Sequence, residues 1–455
     1  MGNKQHKWVA WMITMVILIG TFTTTVCGAE SKGGEKIVVA SVNNGPMVLM
    51  NELSHVFTEK TGIEVEYVML TENDIRSKIQ QDVAIKGGQF DLITLGTNDI
   101  GTYLDNGWTV PLQPLFDSMT DEEKKEYDFE DLIEANIPAY SSTTKGLAAI
   151  PLYGESTMIM YRKDLFEEAG LEMPIEPTWE EVYELAKKLH DPANNRVGMA
   201  IRGKPGYGEN MYIFNTIMYA YGAQVADIDW NPKYDSQEMK AAWEFYKKLQ
   251  TEAGAKEASS NGYTETLNLM SSGNAAIYYD ATVSADVFES EASKVKGKMG
   301  YAKSPSGPGK GNTQTIGGWG IAISSASKKQ EAAFKYLSWV TSKEYVELVA
   351  KEKGWLSVPS GARTSTYENE NYKKLATYAD IVLKSLSTCE FLHPAVNETP
   401  YTGNSLPNIP EWASMGERIG QVLANYISDG ISIEDALSEA QSITKQAFID
   451  GGYIH

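Results

Sequence analysis

Cysteine is nearly absent from this chain of 455 residues. Two residues, Cys27 and Cys389, exclude a disulfide-held scaffold. Histidine is almost as sparse: His6, His55, His190, His393 and His455 stand in no H-E-x-x-H or similar ligand spacing, so no metal site is expected. Lys and Arg number 40 against 60 Asp and Glu, and the net charge of −20 lacks the basic surface that phosphate contacts need, which excludes a nucleic-acid partner. After residue 20 no run stays apolar for the 18 or so residues that a membrane helix requires. Low-complexity linkers and internal repeats are missing as well. Catalytic motifs are equally scarce: "GESTM" is not a G-x-S-x-G elbow, and "SGPGKGN" (306–312) lacks the P-loop pattern and reads as a loop. No cofactor and no catalytic residue are expected. "NET" (397–399) fits a glycosylation sequon, a pattern short enough to occur by chance.

What is present is an ordinary globular composition, 42% hydrophobic and 10% aromatic, in a chain long enough for two or three domains. Lys4 and Lys7 precede the apolar run "WVAWMITMVILIG" (8–20) and the small-residue stretch "TFTTTVCGAES", the layout of a secretory signal over 1–29. Three outcomes stay open: lipidation of Cys27 on a cell-surface lipoprotein, cleavage after Ala29, or an uncleaved anchor. The first 29 residues hold two Lys and no acid, so their loss takes the net charge from −20 to −22. Cys389 would then be alone, a thiol packed in a core.

Strands and helices alternate from the start. "KIVVASVNNGP" (36–46) reads as a strand ending in a turn, and 46–62 as an amphipathic helix between Pro46 and Gly62. A strand follows at 63–70, a helix at 71–88, a strand at 90–96 and a helix from 97. This is the signature of an α/β sheet, mostly parallel. Ligands bind beyond the carboxyl ends of such strands, where this chain places Asn43, Asn44, Thr97 and Asn98. Those short side chains serve a turn equally well. A capping box, Thr178-x-x-Glu181, opens a helix over 177–190. Further helices are expected at 209–222 and 236–253, and the chain beyond about 328 reads as mainly helical.

Three apolar β-runs are each broken by a polar or aromatic residue. "PLYGESTMIMY" (151–161) carries Glu155, "NAAIYYDATV" (274–283) carries Asp280, and "TIGGWGIAISSAS" (315–327) carries Trp319 among glycines. One such break reads as a bulge. Three read as crossings between two lobes, natural hinges for closure on a ligand.

The motifs "VNNGPM", "DVAIKGGQFDLITLGT", "GWTVPLQPL", "PLYGESTMIMYRKDLFEEAGL", "RGKPGYGENM", "ASSNGY", "YYDATV", "GWGIAI", "VPSGARTS" and "PNIPEW" run through nearly the whole chain after the signal. In these the chain resembles bacterial extracellular solute-binding proteins of ABC transporters, the family that includes maltose-binding protein, and within it the sorbitol/mannitol branch. The resemblance implies an α/β, two-lobe periplasmic-binding-protein-like fold with three crossing segments. It assigns 30–154 plus 281–318 to the N-terminal lobe and 155–280 plus 319–455 to the C-terminal lobe. It implies a monomer outside the cytoplasmic membrane that takes a small neutral polyol or sugar and hands it to ABC permease subunits. Carried over residue by residue, it places Asn43, Asn44, Thr97, Asn98, Glu155, Asn210 and Asp280 at polar contacts and Trp319 and Trp355 as aromatic walls. Arg202 is a candidate contact whose alternative is an exterior ion pair. Maltose-type relatives carry an aromatic platform after "PNIP" where this chain has Gly416 beyond Trp412, which implies a smaller or linear ligand. A polyol's hydroxyls both donate and accept, and ionised carboxylates make the stronger bonds to them. Glu155 and Asp280 are therefore expected to clamp hydroxyls from opposite sides. The rival is a glycoside hydrolase that uses the same pair as acid and nucleophile.

Overall fold

The computed structural model describes residues 35–455, Asn312 and Asn404 excepted. The predicted signal, with Cys27, lies outside the described residues. Strands β1 (Lys36–Val42), β2 (Glu64–Leu70) and β3 (Leu92–Gly96) alternate with helices α1 (Gly45–Thr61), α2 (Glu72–Ala84) and α3 (Thr97–Asp105). Local chemistry sets these bounds. The Asn44 side chain caps α1 by accepting from the Met47 N–H, and Gly62 ends it in the left-handed region at φ 76°. A short hairpin, β4 (Ser141–Ser142) and β5 (Gly146–Leu147), precedes β6 (Ile150–Glu155) and β7 (Thr157–Arg162). Then come β8 (Val197–Ala200), β9 (Ala275–Ala281), β10 (Met299–Lys303) and β11 (Gly317–Ile323).

Two sheets result. The first runs β2-β1-β3-β11-β6 and the second β10-β7-β9-β8. In the first, β1 pairs parallel with β2 and β3, while β11 runs antiparallel to β3 and β6. One core covers the first sheet and one face of the second, with Ile37, Val39, Leu92, Ile321, Met160 and Tyr278 among its buried residues. A second gathers Trp179, Phe214, Trp243, Tyr279 and Leu423 around the other. Cys389 is buried in the first core, as expected of a packing thiol. The helix Trp179–Leu189 starts at the predicted capping box, with Thr178 and Glu181 bonded reciprocally. No helix among the described residues is long and apolar enough to cross a membrane.

The lobe assignment needs correction. Strand β10 pairs with β7 in the second sheet, and β11 lies in the first between β3 and β6. The chain therefore crosses at Ser156 and again over 304–316. Asp280 marks no crossing. It lies inside β9, paired on one side with β7 and on the other with β8. A polar residue inside a strand signals either a strand end or a distant buried partner, and only packing separates the two.

The first crossing is a single residue long. Ser156 is fully buried and bonds the residue after β9 as well as the second crossing: its N–H donates to Thr282 Oγ1 at 3.2 Å, its carbonyl accepts from the Thr282 N–H at 2.8 Å, and its Oγ accepts from the Thr315 N–H at 3.2 Å. Below it, the Tyr279 hydroxyl lies 2.9–3.0 Å from Thr157, Thr216 and Ser304 oxygens, a buried polar cluster that fixes the second sheet at the junction.

The "VPSGARTS" loop presses on the same place. The Gly154 N–H donates to Ser360 O at 3.0 Å and Asn136 Nδ2 to Gly361 O at 2.9 Å. Gly361 has φ 81°, and a Cβ there would sit 1.8 Å from Gly154 O. Buried Arg363 bolts the loop down, donating to the Thr341, Asp128 and Tyr127 carbonyls and to Asp131 at 2.8–3.0 Å. Gly154 is thus a glycine because another backbone passes there. Gly361→Ala combines a disfavoured φ with a backbone clash and is expected to lower the unfolding free energy by roughly 2–4 kcal/mol, read from urea denaturation. A loss below about 0.5 kcal/mol would show that the loop does not hold this contact.

Candidate functional site

Strand β6 delivers Glu155 to the mouth of the first crossing. Its partner across the ladder is Gly317, whose missing side chain leaves room for the Glu155 stem. Glu155 is half-buried. Burial pushes its carboxyl up to about 7; the Arg202 guanidinium opposes this, while the Asp280 and Glu72 charges add to it. Glu155 is therefore poised between its two protonation states near neutral pH.

Arg202 follows β8 in the second sheet, near enough for its charge to act on this carboxylate. Its Nε donates to Asp280 Oδ2 at 2.7 Å and its Nη2 to Asp280 Oδ1 at 2.6 Å, a bidentate pair buried on both sides. Nη1 donates to Gly208 O at 2.8 Å, with Glu209 3.8 Å away. The guanidinium lies 4.9 Å from the ring centroids of both Tyr212 and Tyr263. Its own carbonyl accepts from the Tyr246 hydroxyl and from Gln250 Nε2. Burial acts to lower the Arg202 pKa and Asp280 more than restores it, so the net direction is up and the charge is permanent.

Asp280 is fully buried. Both of its oxygens are engaged by Arg202, and Oδ1 also accepts from the Ala281 N–H at 2.7 Å. This corrects the expected two-carboxylate clamp: Asp280 positions Arg202 rather than meeting a ligand. The glycosidase reading needs an accessible nucleophile beside a general acid, and a carboxylate with no exposure and both oxygens occupied cannot supply one.

In the first sheet, Trp319 pairs with Gly96 across one edge and Tyr153 across the other. Arg76 lies over its ring at 5.0 Å from the centroid and is paired with Glu72 and Asp99. Tyr153 carries its hydroxyl to Asn44, whose Nδ2 donates at 3.1 Å. Thr97 and half-buried Asn98 form the first turn of α3, just beyond Gly96. First-turn N–H groups of a helix have no intrahelical partner. Trp319 thus lies one strand pairing away from Thr97, through Gly96, and from Asn44, through Tyr153.

Other expected residues fall elsewhere. Asn210 is fully buried, donating to Gly420 O at 2.9 Å and accepting from the Gly206 N–H at 3.2 Å, so it holds the 203–210 loop against the helix Trp412–Ile427. Asn43 is exposed, with its N–H on Leu70 O. Trp355 opens a short 3₁₀ turn, Trp355–Ser357, and packs half-buried on the first core. Gly416 is buried, its side-chain space taken by Tyr207 and Trp412. Arg76, Tyr153, Tyr212 and Tyr263 escaped the sequence reading. Tyr212 sits in "NMYIFNTIMYA", a run that reads as core, and Arg76 in an amphipathic helix where a cation reads as solvent-facing.

A family model described as bacterial extracellular solute-binding protein matches residues 43–347. The chain belongs to this family. It is 36% identical over 426 residues to the mannitol-binding protein of Pseudomonas aeruginosa, covering 93% of this chain and 95% of that one. An ABC transporter solute-binding protein of Agrobacterium vitis S4 with bound D-mannitol superposes with a TM-score of 0.84 at 38% identity, over 92% of this chain and 100% of that one. A second, from Agrobacterium radiobacter K84 in complex with ribitol, gives 0.77 at 25% identity over 91% and 99%. Maltose-bound T. maritima MalE3, at 20% identity and a TM-score of 0.73 over 90% and 99%, shares the fold.

The raised Glu155 pKa has a signed consequence. In the unfolded chain the group titrates near its ordinary 4.5, and in the folded protein near 7. Protonation therefore favours the fold fully below about pH 4.5, and that contribution is lost as pH rises through 7. Glu155→Gln never ionises, so its melting temperature is expected to gain on the wild type between pH 4.5 and 7 and to hold that lead above. A gap that stays constant from pH 4 to 8 in calorimetric melts would contradict the assigned environment.

Proposed function

We propose that this protein is the extracytoplasmic binding component of an ABC importer and that it captures an alditol, a linear polyol of the mannitol and sorbitol kind. It works as a monomer, delivers its cargo to membrane permease subunits and performs no chemistry on it. The observation that carries this reading is that Glu155, at the single-residue crossing, lies within electrostatic reach of the fixed Arg202 cation. One comes from each sheet, and each has hydrogen-bonding capacity that the protein does not fully use. The polyols bound by the relatives support the same cargo class.

The chemistry follows from the groups. Ionised Glu155 accepts from two ligand hydroxyls. Arg202 donates while Asp280, Tyr212 and Tyr263 keep it from moving, so little side-chain freedom is lost on binding. Trp319 offers a flat face to C–H surface and excludes water. Cargo that touches both sheets favours the closed arrangement, because only there does it meet both charges at once.

Hydroxyls that donate to the Glu155 carboxylate favour its ionised form, so binding lowers its pKa. Below about pH 7 the site must first lose a proton, and affinity for an alditol is expected to fall toward tenfold per pH unit. Titration calorimetry of D-mannitol, D-sorbitol, ribitol and maltose at pH 5.5, 6.5 and 8 checks this. The expected result is alditol binding that tightens with pH, with maltose weak or absent. A ligand at 100 times its Kd should also add about 2.7 kcal/mol of stability. Melts that no alditol shifts at any pH would overturn the proposal.

A further inference from the structure

Apart from the backbone crossing at Ser156, a line of buried polar contacts joins the Arg202 cage to the strand that carries Glu155. Tyr263, one of the two rings over Arg202, has its hydroxyl 3.4 Å from Ser284 Oγ, which also lies 3.1 Å from the Tyr278 hydroxyl. Ser284 opens the short helix Ser284–Phe288, which follows β9 of the second sheet. Within that helix, Asp286 accepts a hydrogen bond from the Tyr378 hydroxyl. Tyr378 immediately precedes the helix Ala379–Ser387, which packs on β6 of the first sheet and on β7 and β10 of the second. The Tyr378 hydroxyl and the Ser360 side chain both stand beside the hydroxyl of buried Tyr372. The Ser360 carbonyl accepts from the Gly154 N–H at 3.0 Å, and Gly154 adjoins Glu155 in β6.

Asp286 is the least expected member of this line. Its setting is aromatic: the Tyr301 ring centroid lies 5.2 Å from that of Tyr378, and Tyr301 donates its own hydroxyl to Glu289 at 2.8 Å. Burial pushes the Asp286 carboxyl up to about 7, and the bond from Tyr378 opposes that shift. Filling space alone would be served as well by leucine. What a carboxylate adds is a strong and directional bond to a hydroxyl. Such a bond fixes the relative placement of two elements that apolar contacts alone would let slide. Here one element leads back to Arg202 and the other to Glu155. Resting on the alditol reading, we propose that Asp286 and Tyr378 are positioning residues for cargo. Their bond sets the angle between the two sheets at which Glu155 and Arg202 reach one ligand together, and neither residue touches that ligand.

Titration calorimetry of wild type, Tyr378→Phe, Asp286→Ala and Asp286→Asn with D-mannitol, D-sorbitol and ribitol tests this, together with small-angle scattering with and without mannitol. Tyr378→Phe and Asp286→Ala should each bind about tenfold more weakly. The factor should be the same for all three alditols, because a residue that meets no ligand cannot change their ranking. Asp286→Asn keeps an acceptor for the Tyr378 hydroxyl and should restore most of the affinity. Without ligand, Tyr378→Phe should show a larger radius of gyration than wild type, and saturating mannitol should bring the two together. A pair that only supports the fold would lower the melting temperature and leave affinity and the unliganded radius as in wild type. That result, losses that reorder the alditols, or an Asp286→Asn as weak as Asp286→Ala would each overturn the inference and leave the alditol reading intact. A wild-type protein that binds no alditol would overturn both.

Discussion

Arg202 and Asp280 are buried against each other. Withdrawing two such ions from water costs several kcal/mol each unless geometry and further hydrogen bonds offset it. Here the offset is nearly complete. The pair is bidentate, the remaining guanidinium nitrogen finds Gly208 O, and two tyrosine rings flank the plane. Much of the second sheet's upper edge is arranged around that requirement: the 203–210 loop wraps the cation, Asn210 pins the loop to the helix Trp412–Ile427, and Tyr246 and Gln250 hold the Arg202 carbonyl. Replacing Asp280 alone would leave a buried cation without its partner, the costlier way to disturb such a pair.

The same ion pair sets the electrostatics of the crossing. Neutralised by Asp280, Arg202 only partly offsets the cost of burying Glu155, and that carboxyl stays near 7 instead of being locked as an anion. A carboxylate bound fully by the protein would have nothing left to offer a ligand; one with no cation nearby would stay protonated. The intermediate condition suits capture of a neutral, hydroxyl-rich molecule, because the ligand's own donors complete the stabilisation. The single-residue crossing at Ser156 makes this geometry sensitive to the angle between the sheets, since Glu155 ends one sheet and the next strand begins the other.

Much of the fold was legible in the sequence because local signals decide it. Pro46 and Gly62 bracket α1, Thr178 and Glu181 form the expected capping box, and the alternation of strands and helices over 36–105 follows the predicted order. Glu155 was legible as a candidate site residue because a carboxylate next to glycine in an apolar run has few structural uses. Asp280 misled the reading for the opposite reason. Its partner lies 78 residues away, and no local pattern distinguishes a carboxylate bound to a distant arginine from one facing a cleft. That error also shifted the lobe boundaries, since a break read as a crossing was an ion pair inside β9. Asn210 reverses what composition suggests: the amide is structural, fixing the loop before its helix.

The central claim is that cargo is held between Glu155 and Arg202 at the first crossing. The most direct measurement is a crystal structure of the protein grown with D-mannitol at pH 8. The account predicts ligand hydroxyl oxygens within hydrogen-bonding distance of both the Glu155 carboxylate and the Arg202 guanidinium, with the Asp280–Arg202 pair unchanged. A ligand bound directly by Asp280, or seated away from the crossing, would contradict it.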